Sequence, residues 1–224
     1  MKNAAILGSG SYGEVFLTYL IEQGYNIIGF FDIDKKKKGE IIHGVPVLGN
    51  FNDLLKNNYE KKIHQVFCPI GNNKTRTRYL RELQNKGFEI PNFIHSSVII
   101  NKDVKIGNGS YILPGVIVMP HTKVDDFVII SMGVKIAHHT VLQEGTFVAT
   151  GANIGANVIL KKRAFSGIGA IITTGVKIIG KDSIIGSGAV IIKDIPDYAV
   201  VVGNPGKIIK YTQNKAMADN LVMT

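Results

Sequence analysis

The sequence holds 224 residues, 45% apolar and 19% charged, with a formal net charge of +9. That length accommodates one large or two modest domains with buried cores, and the composition is globular rather than disordered. A single cysteine, Cys68, excludes an intramolecular disulfide framework and suits a reducing cytoplasm. No apolar run approaches the roughly 18 residues that a membrane span needs, so no membrane partner is expected. The glycines early in MKNAAILGSGSYG argue against a cleavable leader. The positive residues are scattered, apart from Lys35–Lys38 in an expected loop. Such a surface suits an anionic small molecule as well as nucleic acid, and without a dense basic stripe no nucleic-acid partner is expected.

In chain order, NAAILGSGSYGEVFLTYLIEQGYNIIGFFDID reads as strand, glycine turn, helix and strand. The first apolar run ends at Gly8, and Gly8, Gly10 and Gly13 form G-x-G-x-x-G. They open an amphipathic stretch with Val15, Phe16, Tyr19 and Leu20 on one face. The second apolar run, Ile27–Phe31, ends at Asp32, with Asp34 just beyond. Glycines let the backbone approach a phosphate, the helix N-terminus offers free N–H groups, and an acid after the second strand can accept bonds from a ribose or base. The same turn also occurs where nothing binds; strand, helix and acid together favour a nucleotide. A third apolar strand, His64–Ile70, runs into GNNKTRTRYLRELQNKG, a turn and a basic helix. Gly71, Asn72 and Asn73 then sit at the carboxyl end of a parallel strand, where open α/β sheets bind ligands. Residues 1–92 are therefore expected to form a Rossmann-like α/β domain. It is too short for a dehydrogenase with its own substrate domain, so it is expected to hold part of a substrate rather than a nicotinamide.

The second half has a period of six. Steps of six from Ile94 to Val190 give seventeen positions, of which sixteen are aliphatic and one is Ser166. Composition alone would give about eight. Two residues before each, small or β-branched residues dominate, among them Val116, Thr122, Val128, Val134 and Thr140. Neither a helix nor an ordinary strand repeats every six residues. A β-helix does: each hexapeptide is a short strand and a corner, three make a triangular coil, and coils stack about 4.8 Å apart. The frame is expected to run unbroken over residues 93–195, with a C-terminal turn, strand and tail over 196–224.

That frame orients an unusual pair. With Ile136 inward, His138 and His139 fall at a corner and project outward. One coil below His139 is His121 and one coil above is Asn157, so polar groups line one edge of the prism. A corner histidine can also be merely solvated.

ILGSGSYG, IGNN at 70–73, NFIHSSVII, GVKIAHHTVLQEG and VVGNPGKIIK, on a short glycine-motif domain followed by a hexapeptide prism, resemble one family over residues 1 to about 210. The chain resembles the sugar O- and N-acyltransferases related to sialic acid O-acetyltransferase and to the bacillosamine- and perosamine-pathway N-acetyltransferases. The resemblance implies a left-handed β-helix, which the general preference for right-handed crossovers would not supply. It also implies a cytoplasmic homotrimer with active sites between subunits, acetyl-CoA as co-substrate, and a nucleotide-linked 4-amino sugar held by the N-terminal domain. His138 matches the general base that lets the sugar amine attack the thioester directly. An imidazole, with an ordinary pKa of about 6.5, can take that proton at neutral pH. His139 follows it where relatives often carry an acid, and Phe147 stands where some carry a second histidine. Ala156, Gly167, Ile168 and Gly186 match coenzyme contacts, with the Ala156 N–H facing the thioester oxygen. Gly203–Gly206 gives the expected turn near the adenosine end. Gly8, Gly10, Asp32, Asp34, Gly71 and Asn72 match the nucleotide-sugar set.

Three other readings compete with this one. Transfer to a sugar hydroxyl, as in sialic acid O-acetylation, is the alternative within the family. A zinc hydratase on the same prism would use His121, His138 and His139, but adjacent histidines do not readily converge on one tetrahedral ion, so no metal is expected. A non-catalytic scaffold would bind no coenzyme A.

Overall fold

The computed structural model describes residues 3–56, 59 and 62–212. The chain divides into two compact units, residues 1–91 and 92–224. The last part of the expected tail, residues 213–224, lies outside the described residues.

The first unit is an α/β sheet. Its elements are β1 (Asn3–Leu7), α1 (Ser11–Glu22), β2 (Asn26–Phe31), a 3-10 turn (Lys35–Lys37), β3 (Ile41–Ile42), β4 (Val45–Gly49), α2 (Phe51–Lys56), β5 (Gln65–Phe67) and α3 (Asn73–Asn85). The strand order is β3-β4-β2-β1-β5, with β3 antiparallel to β4 and the other pairs parallel. Ala4–Leu7 are wholly buried, as the central strand of a parallel sheet requires. The chain builds outward from β1 to β2 and β4, then crosses to β5 on the other side. The strand order therefore reverses beside β1, and the carboxyl ends of β1 and β5 flank the crevice where such sheets bind ligands.

Two local expectations are corrected here. The buried stripe of α1 is Gly13, Phe16, Leu17 and Leu20, while Val15 is exposed. At about 100° per residue, Leu17 rather than Val15 joins the row of Phe16 and Leu20. The third apolar run pairs only over Gln65–Phe67. Beyond it the backbone turns toward α3, and the Ile70 carbonyl accepts a bond from Arg76 Nη1 at 2.8 Å.

The second unit is a left-handed parallel β-helix of two-residue strands. One face stacks Ile99–Ile100, Ile117–Val118, Lys135–Ile136, Asn153–Ile154, Ile171–Ile172 and Val190–Ile191. A second stacks Lys105–Ile106, Lys123–Val124, Val141–Leu142, Ile159–Leu160 and Ile178–Ile179. The third runs from Phe93–Ile94 through Tyr111–Ile112, Ile129–Ile130, Phe147–Val148 and Phe165–Ser166 to Ile184–Ile185, and ends in Ala199–Val202 with Lys207–Tyr211 antiparallel to it. The second residue of each strand points to the axis. From Ile112 through Ile154 and Leu160 to Ile172 these residues are buried, and each aliphatic contributes about 1.5–3 kcal/mol. At the first coils the axis opens: Ile94 is exposed and Ile100 and Ile106 are half-buried. Two threonine corners inside the wall are satisfied: Thr122 Oγ1 donates to the Ala137 carbonyl at 3.3 Å and Thr140 Oγ1 to the Gly155 carbonyl at 2.9 Å.

The hexapeptide frame is not unbroken. Leu142 pairs with Leu160, a step of eighteen, but Leu160 pairs with Ile179, a step of nineteen. An extra residue enters near Thr174–Val176, and from there Ile179, Ile185 and Ile191 fill the axis instead of Ile178, Ile184 and Val190. A one-residue slip turns every following side chain to the other side of its strand. Here each strand after the slip carries two aliphatics, so the step of six still lands on an aliphatic residue.

Candidate functional site

In the first unit the glycine turn is shaped by close approach. Gly8 has φ +109°, and its N–H donates to the Phe31 carbonyl at 2.7 Å. A Cβ on Gly13 would stand 2.1 Å from the Gly8 carbonyl oxygen, so α1 presses directly on the turn. Gly10 caps α1 with extended backbone and no side-chain bond, leaving the first N–H groups of the helix without a side-chain cap. Ile70 lies against Gly8, and the turns at Gly8–Gly10 and Gly71–Asn72 open at the same end of the sheet. Asn72 caps α3, its Oδ1 accepting the Thr75 N–H at 2.9 Å, and Gly71 is exposed.

Asp32 is buried beneath this turn. Its Oδ2 accepts the Ser9 N–H at 2.8 Å, the Ser9 hydroxyl, and Lys37 Nζ at 3.4 Å, while Oδ1 accepts the Asp34 N–H at 2.9 Å. Burial alone would raise its pKa, but these bonds from Ser9, Asp34 and Lys37 outweigh it and hold the carboxyl below the usual aspartate range. The carboxylate therefore braces the turn from within. Asp34 accepts the Lys36 N–H at 3.0 Å and caps the 3-10 turn. Ser9 and Lys37 escaped the sequence reading, although Lys37 belongs to its basic run. Cys68 is wholly buried, and burial pushes its thiol up to about 12, far from a reactive thiolate.

In the second unit both histidines of the corner point outward and are exposed. His138 Nδ1 lies 2.9 Å from His139 Nδ1, with the rings at 90°. The His139 ring rests on that of His121, centroids 4.6 Å apart. His121 Nδ1 is 3.0 Å from Asp103 Oδ2, which also accepts the His121 main-chain N–H. The coil above closes over the pair: Asn157 N–H donates to the His138 carbonyl at 3.1 Å, and Ala156 N–H donates to Thr174 Oγ1 at 3.3 Å. Asp103 and Thr174 were missed, although the same step of eighteen that links His139 to His121 reaches both, from His121 and from Ala156.

Between this corner and the next lies the face of Ile117, Lys135, Asn153 and Ile171. A shallow groove of about 480 Å³ runs along it, lined by these residues together with Met119 and Thr174. Ala156 stands at its histidine edge. Gly167, Ile168 and Gly186 stand at the opposite edge, where Gly167 N–H donates to the Ile185 carbonyl and Gly186 N–H to the Val201 carbonyl, both at 2.8 Å. Gly167 is pressed against the next coil, since a Cβ there would meet Ser187 N at 2.6 Å. Ile168 is 60% exposed. The Gly203–Gly206 turn is tied to Val190 of this face through Val190 N–H to Gly203 carbonyl and Gly206 N–H to Val190 carbonyl. Among the described residues no group of three or more His, Cys, Asp or Glu is arranged to hold a metal ion, and no helix is long and apolar enough to cross a membrane.

Comparison with known proteins adds to this geometry. Residues 3–83 match the PglD N-terminal domain family. A histidine-to-alanine mutant of GDP-perosamine N-acetyl transferase from Caulobacter crescentus, solved in complex with CoA and GDP-perosamine, is 28% identical with a TM-score of 0.87, covering 94% of this chain and 98% of that one. The acetyltransferase domain of PglB from Neisseria gonorrhoeae, in complex with acetyl coenzyme A, is 26% identical with a TM-score of 0.83, covering 93% of this chain and 99% of that one. Among curated proteins, serine acetyltransferase of Bacillus pumilus is 39% identical over 54 residues, 22% of this chain. That match spans a quarter of the length of the curated relative.

Proposed function

We propose that the chain is one of the hexapeptide-repeat, left-handed β-helix sugar acyltransferases related to the perosamine and bacillosamine-pathway enzymes, and that it transfers the acetyl group of acetyl-CoA to the amino group of a nucleotide-linked 4-amino sugar. The observation that carries this reading is the outward-facing His138–His139 corner beside an apolar groove, on a fold shared along nearly its whole length with a structure that holds CoA and GDP-perosamine.

His138 is the general base. The amine nitrogen attacks the thioester carbonyl carbon and gives its proton to His138 Nε2; the carbon–sulfur bond breaks and the coenzyme leaves as a thiolate. Such base catalysis is typically worth about 10²–10⁴-fold. The Ala156 N–H makes only a long bond, 3.3 Å, to Thr174 Oγ1, and rotation of that hydroxyl frees it for the carbonyl oxygen as it becomes negative. The groove suits the pantetheine arm of acetyl-CoA, with Gly167, Ile168 and Gly186 as further coenzyme contacts. In the first unit the uncapped start of α1 at Gly8 and Gly10 takes the diphosphate, with Gly71 and Asn72 across the crevice. Asp32 holds that turn in shape, and Asp34 stands at its edge.

The same reading makes the protein a cytoplasmic homotrimer with active sites between subunits. Exposed Ile99 and Ile171 and half-buried Ile117 form an apolar face that a second copy would cover.

The test is a panel of UDP-, dTDP- and GDP-linked 4-amino sugars with acetyl-CoA, read by release of free thiol. Turnover is expected on at least one amino sugar. Turnover on a sugar hydroxyl alone would make the protein an O-acetyltransferase, and no turnover with coenzyme A unbound would leave only a scaffold.

A further inference from the structure

We infer that Asp103, His121 and His139 form a positioning column for His138, in which His139 accepts the Nδ1 proton of His138 and so leaves Nε2 bare to act as the base. The inference rests on the proposed acetyl transfer for its kinetic consequences, but its geometry stands by itself.

Asp103, His121, His139 and Asn157 occupy the same corner of four successive coils, eighteen residues apart. His121, His139 and Asn157 share a left-handed backbone, with φ of 62°, 57° and 61°. Few residues adopt that conformation readily, and asparagine is foremost among those that do after glycine. The corner itself would be served by asparagine at all three positions, as it is at Asn157. Histidine is itself enriched in that conformation, so the turn admits the imidazoles at 121 and 139 without calling for them, and a need beyond the turn has to come from their contacts.

That need is legible in the protons. Between two Nδ1 atoms 2.9 Å apart there is room for one hydrogen, so one ring donates and the other accepts. A histidine acting as base through Nε2 carries its proton on Nδ1, which makes His138 the donor and His139 the acceptor. The remaining proton of a neutral His139 then sits on its Nε2. At the foot of the column the sign is fixed by chemistry: an ionised Asp103 can only accept, so His121 donates through both Nδ1 and its main-chain N–H. Held through Nδ1, the His121 ring supports the His139 ring, 4.6 Å away and tilted by 47°. Above the pair the next two coils present neutral Asn157 and then Thr174. When Nε2 takes the amine proton, His138 becomes an imidazolium; its Nδ1 keeps its own hydrogen, still donated to His139 Nδ1, and the one carboxylate of the column lies on the same edge of the prism. The departing thiolate afterwards receives the proton from Nε2, which restores the starting tautomer.

The experiment pairs kinetics with a substrate-free measurement on the full chain. His139→Asn keeps a residue suited to the left-handed corner, so its melting temperature should stay at that of the unsubstituted protein while kcat falls about 10–100-fold and KM for acetyl-CoA moves less than about twofold. His139→Asp replaces an amide that can donate or accept with an acceptor-only carboxylate and should recover most of the loss. His121→Asn and Asp103→Asn should lower kcat by a smaller factor, about 3–10-fold. Nitrogen NMR of the imidazoles should show His138 protonated on Nδ1, with that preference lost in His139→Asn. Full kcat in His139→Asn, no recovery in His139→Asp, or a His138 proton on Nε2 would each overturn the column. Absence of all activity in the unsubstituted protein would instead overturn the proposed function, and the NMR result would still decide the column.

Discussion

The turn after β1 and the corner at His138 hold their candidate functional atoms by different means. In the α/β unit the turn depends on contacts made once: Gly13 against Gly8, Asp32 against Ser9, Lys37 from the following turn. In the β-helix the same corner recurs in every coil, and each position inherits its backbone from the coil below. A unique turn has no neighbour to share a disturbance. A repeated corner does, which frees its outward side chains for chemistry while the inward ones keep the fold.

The comparison yields predictions in descending size. His138→Ala should cost about 10²–10⁴-fold in kcat with no change in melting temperature, because the side chain supports no part of the wall; unaltered turnover would remove it from the mechanism. Arg163→Ala should destabilise the prism by about 2–3 kcal/mol in denaturant titration. It strips Asp182, which is buried, of a two-point bond at 2.8 and 2.7 Å, and a loss below about 1 kcal/mol would mean that the coils share even this disturbance. Gly13→Ala should cost the α/β unit about 1–3 kcal/mol by overpacking, since nothing can relieve the contact with Gly8 except movement of α1.

Asp32 supplies a prediction in pH. Its folded pKa is depressed, so its stabilisation is present above the unfolded value of about 3.9 and is lost as pH falls through the folded value. Stability of the first unit should drop on acidification below about pH 4, and Asp32→Asn should flatten that dependence; an unchanged pH profile would count against the brace. The smallest effect has the opposite sign. Ser166 places a hydroxyl without a hydrogen-bond partner on the apolar axis, so Ser166→Ala should raise stability by about 1 kcal/mol.

The two regions also differ in how much their residues disclose. The period of six announces the prism because every coil buries the same kind of residue for the same reason, and the outward histidines follow from Ile136 by counting. The slip near Gly175 is invisible to the same count because Ile178–Ile179, Ile184–Ile185 and Val190–Ile191 are apolar on both sides. Asp103 was reachable by one more step of eighteen below His121. In the α/β unit the glycines and the acid are legible as a motif, but the use of Asp32 is not. It depends on Ser9 coming back across the sheet to meet it, a contact between residues 23 apart that no local pattern encodes.

The central claim is that the outward corner histidine removes a proton from the sugar amine. A structure of the inactive His138→Asn variant with acetyl-CoA and the amino sugar that turns over would test it most directly. The account predicts the amine nitrogen within about 3 Å of the position that Nε2 occupies in the unsubstituted protein, and on line with the thioester carbon. An amine bound well away from this corner, or facing a different side chain, would contradict it.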